Sequence, residues 1–316
     1  WENFSEWYDN HVHFVPHHNS HAALAVLASN FKECAFFNQD GGGDYGDKRD
    51  FIFGEYRDKK FHIMKQNYGV KTICSFHAFI TDALSFSGGN NGKTSGLASY
   101  GKVQDKLAKA YFNLISVGED GIIFKRERYN NTKVNLKKIH PTEYDRGKIL
   151  YHFPSDTNIL RLSIDYLPQD IAATAEYVLR VSVLKLLKKL KKMTKMKNIV
   201  FSGGLFQNVA LNNAILESDL FKKIFIPMSP DDGGLSLGQA LYIENQFTKR
   251  ERKETLTPLL GPSFRNGEIE SLLNRFRLTY TRENDISKTA AKLITKGKIV
   301  GWFQGRGEYG PRSLGN

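Results

Sequence analysis

Cysteine is scarce in this sequence, since its 316 residues contain only two, Cys34 and Cys74. The two lie far apart and form no CxxC motif, which argues against a disulfide framework or a thiolate zinc site. No apolar run reaches the roughly 18 residues that a membrane helix needs, and no signal peptide is recognisable. The sequence therefore predicts a cytoplasmic protein with no membrane partner.

Two common phosphate-binding motifs are also absent. Neither GxxxxGK[ST] nor a GxGxxG after a first strand occurs, so neither a P-loop nor a dinucleotide-binding site is supported. Glycine groups instead follow apolar runs at residues 41–43, 88–89, 203–204 and 233–234. Each alone is explained by a structural turn, but glycine also lets backbone N–H groups approach a phosphate. Four in one domain predict a nucleotide cleft of the split actin and sugar-kinase type.

Positive charge is abundant, with a formal net charge of +12. Much of the excess lies at residues 184–197, where lysines alternate with leucines as on the solvated face of a helix. An anionic partner surface and RNA are the alternative interpretations. The stretch lacks the arginine and aromatic interleaving that stacks bases, so we do not expect a nucleic-acid partner.

Five histidines lie between residues 11 and 21, in the segment HVHFVPHHNSH. A helix that begins after Pro16 places His17 and His21 one turn apart on the same face. Two neutral imidazoles at that spacing bind a divalent metal when a carboxylate completes the site. Asp232, in an acidic glycine turn, is our candidate for that carboxylate, whereas Asp40 and Asp44 suit metal, water or ribose. A pair of exposed or core histidines without metal is the alternative.

The order of the predicted elements indicates an α/β fold. CAFFN and IFGEYRDKKFHIMKQ are typical of strands, residues 72–84 and 168–193 of helices, and SFSGGNNGKTSGLASYGK of a loop. NIVFSGGLFQNVALNNAILES and KIFIPMSPDDGGLSLGQALYIE each read as strand, turn and helix, which predicts a parallel sheet with its turns at the carboxyl edge. We expect a first domain over residues 1–247, a polar linker over 248–262 and a second domain from 263, with two helices and a strand at KIVGWFQGR.

Seven segments over nearly the whole chain resemble the nodulation-type O-carbamoyltransferase family: HHNSHAA, DGGGDYGD, NGKTSGLASYGK, SGGLFQNVALN, PDDGGLSLGQAL, LGPSF and GWFQGRGEYGPRSLGN. The resemblance implies an ASKHA-type, Kae-like domain over residues 1–247, followed over 263–316 by the start of a YrdC-like domain. Family members begin with a strand pair and a histidine and aspartate segment that has no match here. We therefore expect a fragment of a longer enzyme, truncated at both ends.

The resemblance also implies a reaction. The YrdC-like domain combines carbamoyl phosphate with ATP to give carbamoyl adenylate and pyrophosphate. In the Kae-like domain, a hydroxyl of a small-molecule or glycan acceptor then attacks the carbamoyl carbon and AMP leaves. The implied cofactors are ATP and a divalent metal, iron in family members, with manganese and zinc as alternatives.

Individual residues receive roles from the same resemblance. The HxxxH motif and the D-x-G turn assign the catalytic metal to His17, His21 and Asp232. Nucleotide contacts fall on Asp40, Gly41, Gly43, Lys93, Gly203, Gly204, Asn208 and Gly233. Arg306 and Arg312 are expected to bind phosphate or carbamoyl oxygens, with an arginine paired to Glu308 as the alternative.

Three other functions stay open from the sequence. Transfer of threonylcarbamoyl to tRNA would use the positive charge, but the second domain and GPRSLGN belong to the O-carbamoyl family. Hydrogenase maturation would require an acylphosphatase segment and CxxC zinc fingers, which this sequence lacks. An inactive nucleotide-binding module is the non-enzyme alternative. The acceptor and the oligomeric state, a homodimer included, are not determined by the sequence.

Overall fold

The computed structural model describes residues 12–43, 49–68, 72–86, 89–125, 157–248 and 254–316, so His11, Asp44 and Gly88 lie outside the described residues. The chain divides into two compact units, Trp1–Thr255 and Leu256–Asn316. The boundary between the units falls inside the predicted linker, residues 248–262. The end of that linker belongs to the second unit, where the Gly261 N–H donates to the Gly307 carbonyl. The assignment of the domains to Kae-like and YrdC-like types stays a prediction.

The first unit is built on a five-stranded mixed sheet. The strands of the sheet are β1 (Cys34–Gln39), β2 (Arg49–Arg57), β3 (Lys60–Tyr68), β6 (Asn198–Ser202) and β7 (Lys223–Phe225). A separate hairpin consists of β4 (Ile115–Gly118) and β5 (Gly121–Phe124). The sheet order is β3-β2-β1-β6-β7, and β4 pairs with β5. β2 runs antiparallel to both β1 and β3, whereas β1, β6 and β7 are parallel to one another. The α/β prediction is confirmed, and the mixed sheet is consistent with an ASKHA-type fold.

Helices cover both faces of this sheet. In the first unit they are α1 (His17–Ala28), α2 (Ile73–Ala83), α3 (Asn91–Ala98), α4 (Asp105–Asn113), α5 (Thr157–Ser163), α6 (Pro168–Lys191), α7 (Val209–Glu217) and α8 (Leu235–Thr248). Because strand side chains alternate, Phe36 packs with α1 on one face while Phe37 enters the larger core with α6 on the other. The predicted long helix is confirmed as α6, which has proline at its first position. Among the described residues, every helix is too short or too polar to cross a membrane.

The loop prediction for SFSGGNNGKTSGLASYGK is wrong over α3. Two glycines and polar residues give this stretch low helix propensity, so its sequence alone does not favour a helix. Tertiary hydrogen bonds supply the missing stabilisation, because the Thr94 and Thr81 hydroxyls pair at 2.8 Å and Ser95 Oγ–H donates to Glu176 Oε1 at 2.5 Å.

The second unit contains α9 (Asn266–Arg275) and α10 (Ile286–Thr295), as predicted. Gly297, the predicted cap of α10, has φ +71°, the left-handed conformation that favours glycine after a helix. The strand predicted at KIVGWFQGR is wrong. A strand requires a paired neighbour, and the described part of this unit supplies only an isolated bridge between Ser263 and Arg306.

Candidate metal centre

The first turns of α1 bring two imidazoles together. The helix begins at His17, directly after Pro16, and both His17 and His21 are buried. Their Nε2 atoms are 3.2 Å apart. The small side chains of Ala22 and Ala23 are also buried, which allows the sheet and α8 to pack closely around the helix. The prediction that the two histidines lie one helical turn apart on the same face is therefore confirmed.

Asp40 joins this pair from the carboxyl end of β1. Its Oδ2 lies 3.1 Å from His21 Nε2. Two backbone N–H groups hold the carboxylate, that of Gly41 at 2.6 Å and that of Gly204 at 3.1 Å. Gly203, which precedes the second donor, has φ +93°, and a Cβ there would lie 2.1 Å from the Gln39 carbonyl oxygen. The glycine turn after β6 thus fits tightly over the end of β1 and fixes Asp40.

Asp232 completes the group from the turn between β7 and α8. Its Oδ1 lies 3.3 Å from His21 Nε2 and 3.6 Å from His17 Nε2. Gly238 permits this approach, because a Cβ on it would lie 2.1 Å from the Ser20 carbonyl of α1. The Asp232 side chain is 69% exposed, whereas both imidazoles are buried. The centre therefore faces solvent through Asp232.

The four donor atoms fit a metal ion. One nitrogen or oxygen from each of His17, His21, Asp40 and Asp232 lies within 4.8 Å of all the others. Ligands about 2.1 Å from a metal are about 3.0 Å apart at right angles and about 3.4 Å apart at tetrahedral angles. Contacts of 3.1–3.6 Å from the histidine nitrogens match those spacings. Two imidazoles and two carboxylates suit iron, manganese or zinc.

The electrostatics of the group favour positive charge at its centre. Burial alone would lower the pKa of His21, but hydrogen bonds and charges from Asp232 and Asp40 outweigh burial and raise the pKa to about 9. Burial would raise the pKa of Asp40, yet its bonds to His21 and two backbone amides lower the pKa to about 2. The two carboxylates therefore stabilise a positive charge beside them. That charge can be a proton on His21 or a divalent metal ion.

The other predicted residues lie in several places. Gly41 and Gly204 contact Asp40 through their N–H groups. Gly43 lies two residues after Gly41, and Gly233 follows Asp232 in the chain. Asn208 is the N-cap of α7, where its Oδ1 accepts the Leu211 N–H at 3.0 Å. Lys93 is exposed on α3. The nucleotide roles of these residues stay predictions.

Both predicted substrate arginines lie in the second unit. Arg306 donates to the carbonyl oxygens of Gly261 and Leu260, at 2.9 Å and 3.0 Å, and Arg312 is exposed. Glu308 accepts backbone N–H groups from Leu314 and Asn316. The substrate roles of Arg306 and Arg312 stay predictions.

Two features of the site were missed from the sequence. Asp40 was assigned to the nucleotide but contacts the same His21 nitrogen as Asp232. His18, next to His17, is completely buried and hydrogen-bonds Asn38 of β1 and the Arg49 carbonyl of β2. The position of Asp40 at the end of a predicted strand was a usable signal, whereas the role of His18 depends on the packing of the sheet.

Comparison with known proteins places these features in a family. A model described as the carbamoyltransferase N-terminus matches residues 4–241. The chain is 28% identical over 309 residues to the nodulation protein NolO of Bradyrhizobium diazoefficiens. The aligned region covers 95% of this chain and 52% of NolO. The chain is 26% identical to the nodulation protein NolNO of Sinorhizobium fredii, covering 96% of this chain and 42% of NolNO. The chain spans about half the length of these relatives.

Among solved structures, HypF of T. kodakarensis is similar at 15% identity and a TM-score of 0.44. The match covers 81% of this chain and 40% of HypF.

Proposed function

The chain belongs to the carbamoyltransferase family, and we propose that the protein carrying it transfers a carbamoyl group, with ATP, to a hydroxyl of a small-molecule or glycan acceptor. The observation that carries the proposal is the four-donor group of His17, His21, Asp40 and Asp232 beside the glycine turn at Gly203. A metal centre adjacent to a glycine turn suits a phosphate-bearing substrate.

The proposed reaction has two steps. Carbamoyl phosphate, ATP and one water give carbamoyl adenylate, with release of phosphate and pyrophosphate. The acceptor oxygen then bonds to the carbamoyl carbon, the bond from that carbon to the AMP oxygen breaks, and the hydroxyl proton is released. We assign the first step to the second unit, with Arg306 and Arg312 as phosphate or carbamoyl contacts, and the second step to the first unit.

The residues of the centre would divide the work in the second step. His17, His21, Asp40 and Asp232 would hold the divalent cation, which would neutralise phosphate charge as AMP departs. Asp40 stays ionised, since its pKa is about 2, and the Gly41 and Gly204 amides fix its orientation. Because Asp232 faces solvent while the imidazoles are buried, a substrate would reach the centre from the Asp232 side.

A first experiment follows pyrophosphate release by the whole protein with ATP and carbamoyl phosphate, without an acceptor. We expect release that depends on carbamoyl phosphate, falls strongly in Arg312→Ala and persists in His17→Ala. His17→Ala should lose bound metal, measured by elemental analysis, whereas His62→Ala on the exposed face of β3 should match wild type. Metal-loaded protein that releases no pyrophosphate would contradict ATP-dependent carbamoyl transfer and favour a nucleotide-binding module.

A further inference from the structure

A second buried cluster of polar side chains joins α6 to three other elements. At its centre is Glu176 of α6, whose side chain is 5% exposed. Its Oε1 accepts the His77 Nε2–H of α2 at 2.9 Å and the Ser95 Oγ–H of α3 at 2.5 Å. Its Oε2 accepts an Asn208 Nδ2–H at 2.8 Å. One carboxylate therefore connects four segments of the chain.

These contacts determine which way the Asn208 amide points. Its oxygen accepts the Leu211 N–H at the start of α7, and its nitrogen donates to Glu176. An amide nitrogen carries two hydrogens, and Glu176 takes one of them. Asn208 is half-buried, and its second N–H is the one that we assign below to a ligand.

The same carboxylate fixes the surroundings of that amide. Asn208 ends the glycine turn that begins at Gly203 and holds Asp40 through the Gly204 N–H. Ser95 lies two residues after Lys93, the basic residue predicted to contact the nucleotide. A charged acceptor makes the stronger hydrogen bonds, so Glu176 locks the turn and α3 more firmly than a neutral side chain would.

We propose that Glu176 is a positioning residue that orients the Asn208 amide as a hydrogen-bond donor to the bound nucleotide and holds α3 beside it. This inference rests on the proposed function, because it requires a nucleotide at the glycine turn. Glu176 itself does not touch the substrate in this proposal. Its effect on nucleotide affinity passes through Asn208.

The test uses reciprocal substitutions and ATP binding measured by calorimetry on the chain. Glu176→Gln leaves one acceptor oxygen for three donors, and that oxygen is expected at the position that accepts both His77 and Ser95. The new amide N–H then faces the Asn208 nitrogen, and the contact with Asn208 is lost. We expect ATP to bind about tenfold more weakly, the loss of about one hydrogen bond. Glu55→Gln is the matched control, since Glu55 is a partly buried carboxylate of β2 that accepts the Thr194 Oγ1–H at 2.5 Å. It should bind ATP as wild type does.

The double variant Glu176→Gln/Asn208→Asp separates positioning from mere packing. It restores the contact with donor and acceptor exchanged, and a carboxylate at position 208 still caps α7. Thermal stability should therefore recover, which keeps the test valid if Glu176→Gln alone does not fold. ATP affinity should stay weak, because the amide donor is gone.

Three outcomes would overturn the inference. Wild-type affinity in Glu176→Gln would show that the contact does not act on the nucleotide. Recovery of affinity together with stability in the double variant would show a structural role only. Wild-type protein that does not bind ATP would overturn the proposed function, and this inference with it, whereas the first two outcomes leave the proposed function intact.

Discussion

The metal centre and the Glu176 cluster are both built from buried histidine and carboxylate groups, but they differ in what they leave unmatched. In the Glu176 cluster, three donors meet one carboxylate, and the carboxylate side chain is 5% exposed. In the metal centre, two imidazole nitrogens face each other and two carboxylates, one of which is 69% exposed. The carboxylate of the first cluster has its hydrogen-bond donors without a ligand, whereas the second group suits an added cation.

His21→Ala should have the largest effect, since it removes the imidazole that contacts both carboxylates. Loss of an outer partner of a metal ligand already costs about 10- to 100-fold in affinity, so loss of this ligand should cost more than about 100-fold. Calorimetric titration with Mn²⁺ measures the change. His62→Ala serves as control, and equal Mn²⁺ affinity in His21→Ala would remove the distinction between the two clusters.

Glu176→Gln should destabilise the fold without reducing metal affinity. Burial would raise the pKa of Glu176, but hydrogen bonds and charge from His77, with Ser95 and Asn208, lower it. The carboxylate therefore contributes stability above its unfolded pKa of about 4.3, and this contribution is lost as pH falls through the lowered folded pKa. We expect about 3 kcal/mol less free energy of unfolding at pH 7.

Urea unfolding of Glu176→Gln and wild type across a pH series checks this prediction. The gap between the two proteins should be constant at neutral pH and shrink below about pH 4. A gap that does not change with pH would mean that the charge of Glu176 contributes nothing. A parallel loss of Mn²⁺ affinity would show that the two clusters are not separate in function.

Gly238→Ala should have a smaller effect on stability but should reach the metal centre. Its Cβ would lie 2.1 Å from the Ser20 carbonyl, so α8 must move away from α1 and carry Asp232 with it. Overpacking of this kind costs about 2 kcal/mol, and Mn²⁺ affinity should fall with it. Equal Mn²⁺ affinity would mean that the position of Asp232 does not depend on this contact.

Gly96→Ala is the contrasting change and the smallest. No atom lies within 4 Å of a Cβ at Gly96 on α3. Because alanine has the higher helix propensity, we expect about 0.5 kcal/mol of added stability. Urea unfolding measures the difference, and a loss of stability would show that α3 needs glycine for another reason.

The sequence predicted much of the geometry of the candidate metal centre, because its signals are local. His17 and His21 are four residues apart on a helix that starts at a proline, and Asp232 lies in a glycine turn after a strand. Asp40 was recognised as a site residue but assigned to the nucleotide. Its contact with His21 depends on β1 lying beside β6, which brings the Gly204 N–H to the carboxylate. Such a register is a property of the whole sheet.

The Glu176 cluster could not have been predicted in the same way. Glu176 occupies an ordinary position inside α6, and its partners His77, Ser95 and Asn208 come from three other segments. The loop prediction for α3 failed for a related reason, since contacts with α2 and α6 outweigh its low propensity. In both cases the decisive interactions join residues that are far apart in sequence.

A metal-edge X-ray absorption spectrum of the protein loaded with one divalent ion per chain tests the candidate metal centre most directly. We expect one tightly bound ion with two imidazole ligands, and one imidazole fewer in His17→Ala. A spectrum without imidazole scattering, or a protein that retains no ion, would contradict a metal centre at His17, His21, Asp40 and Asp232.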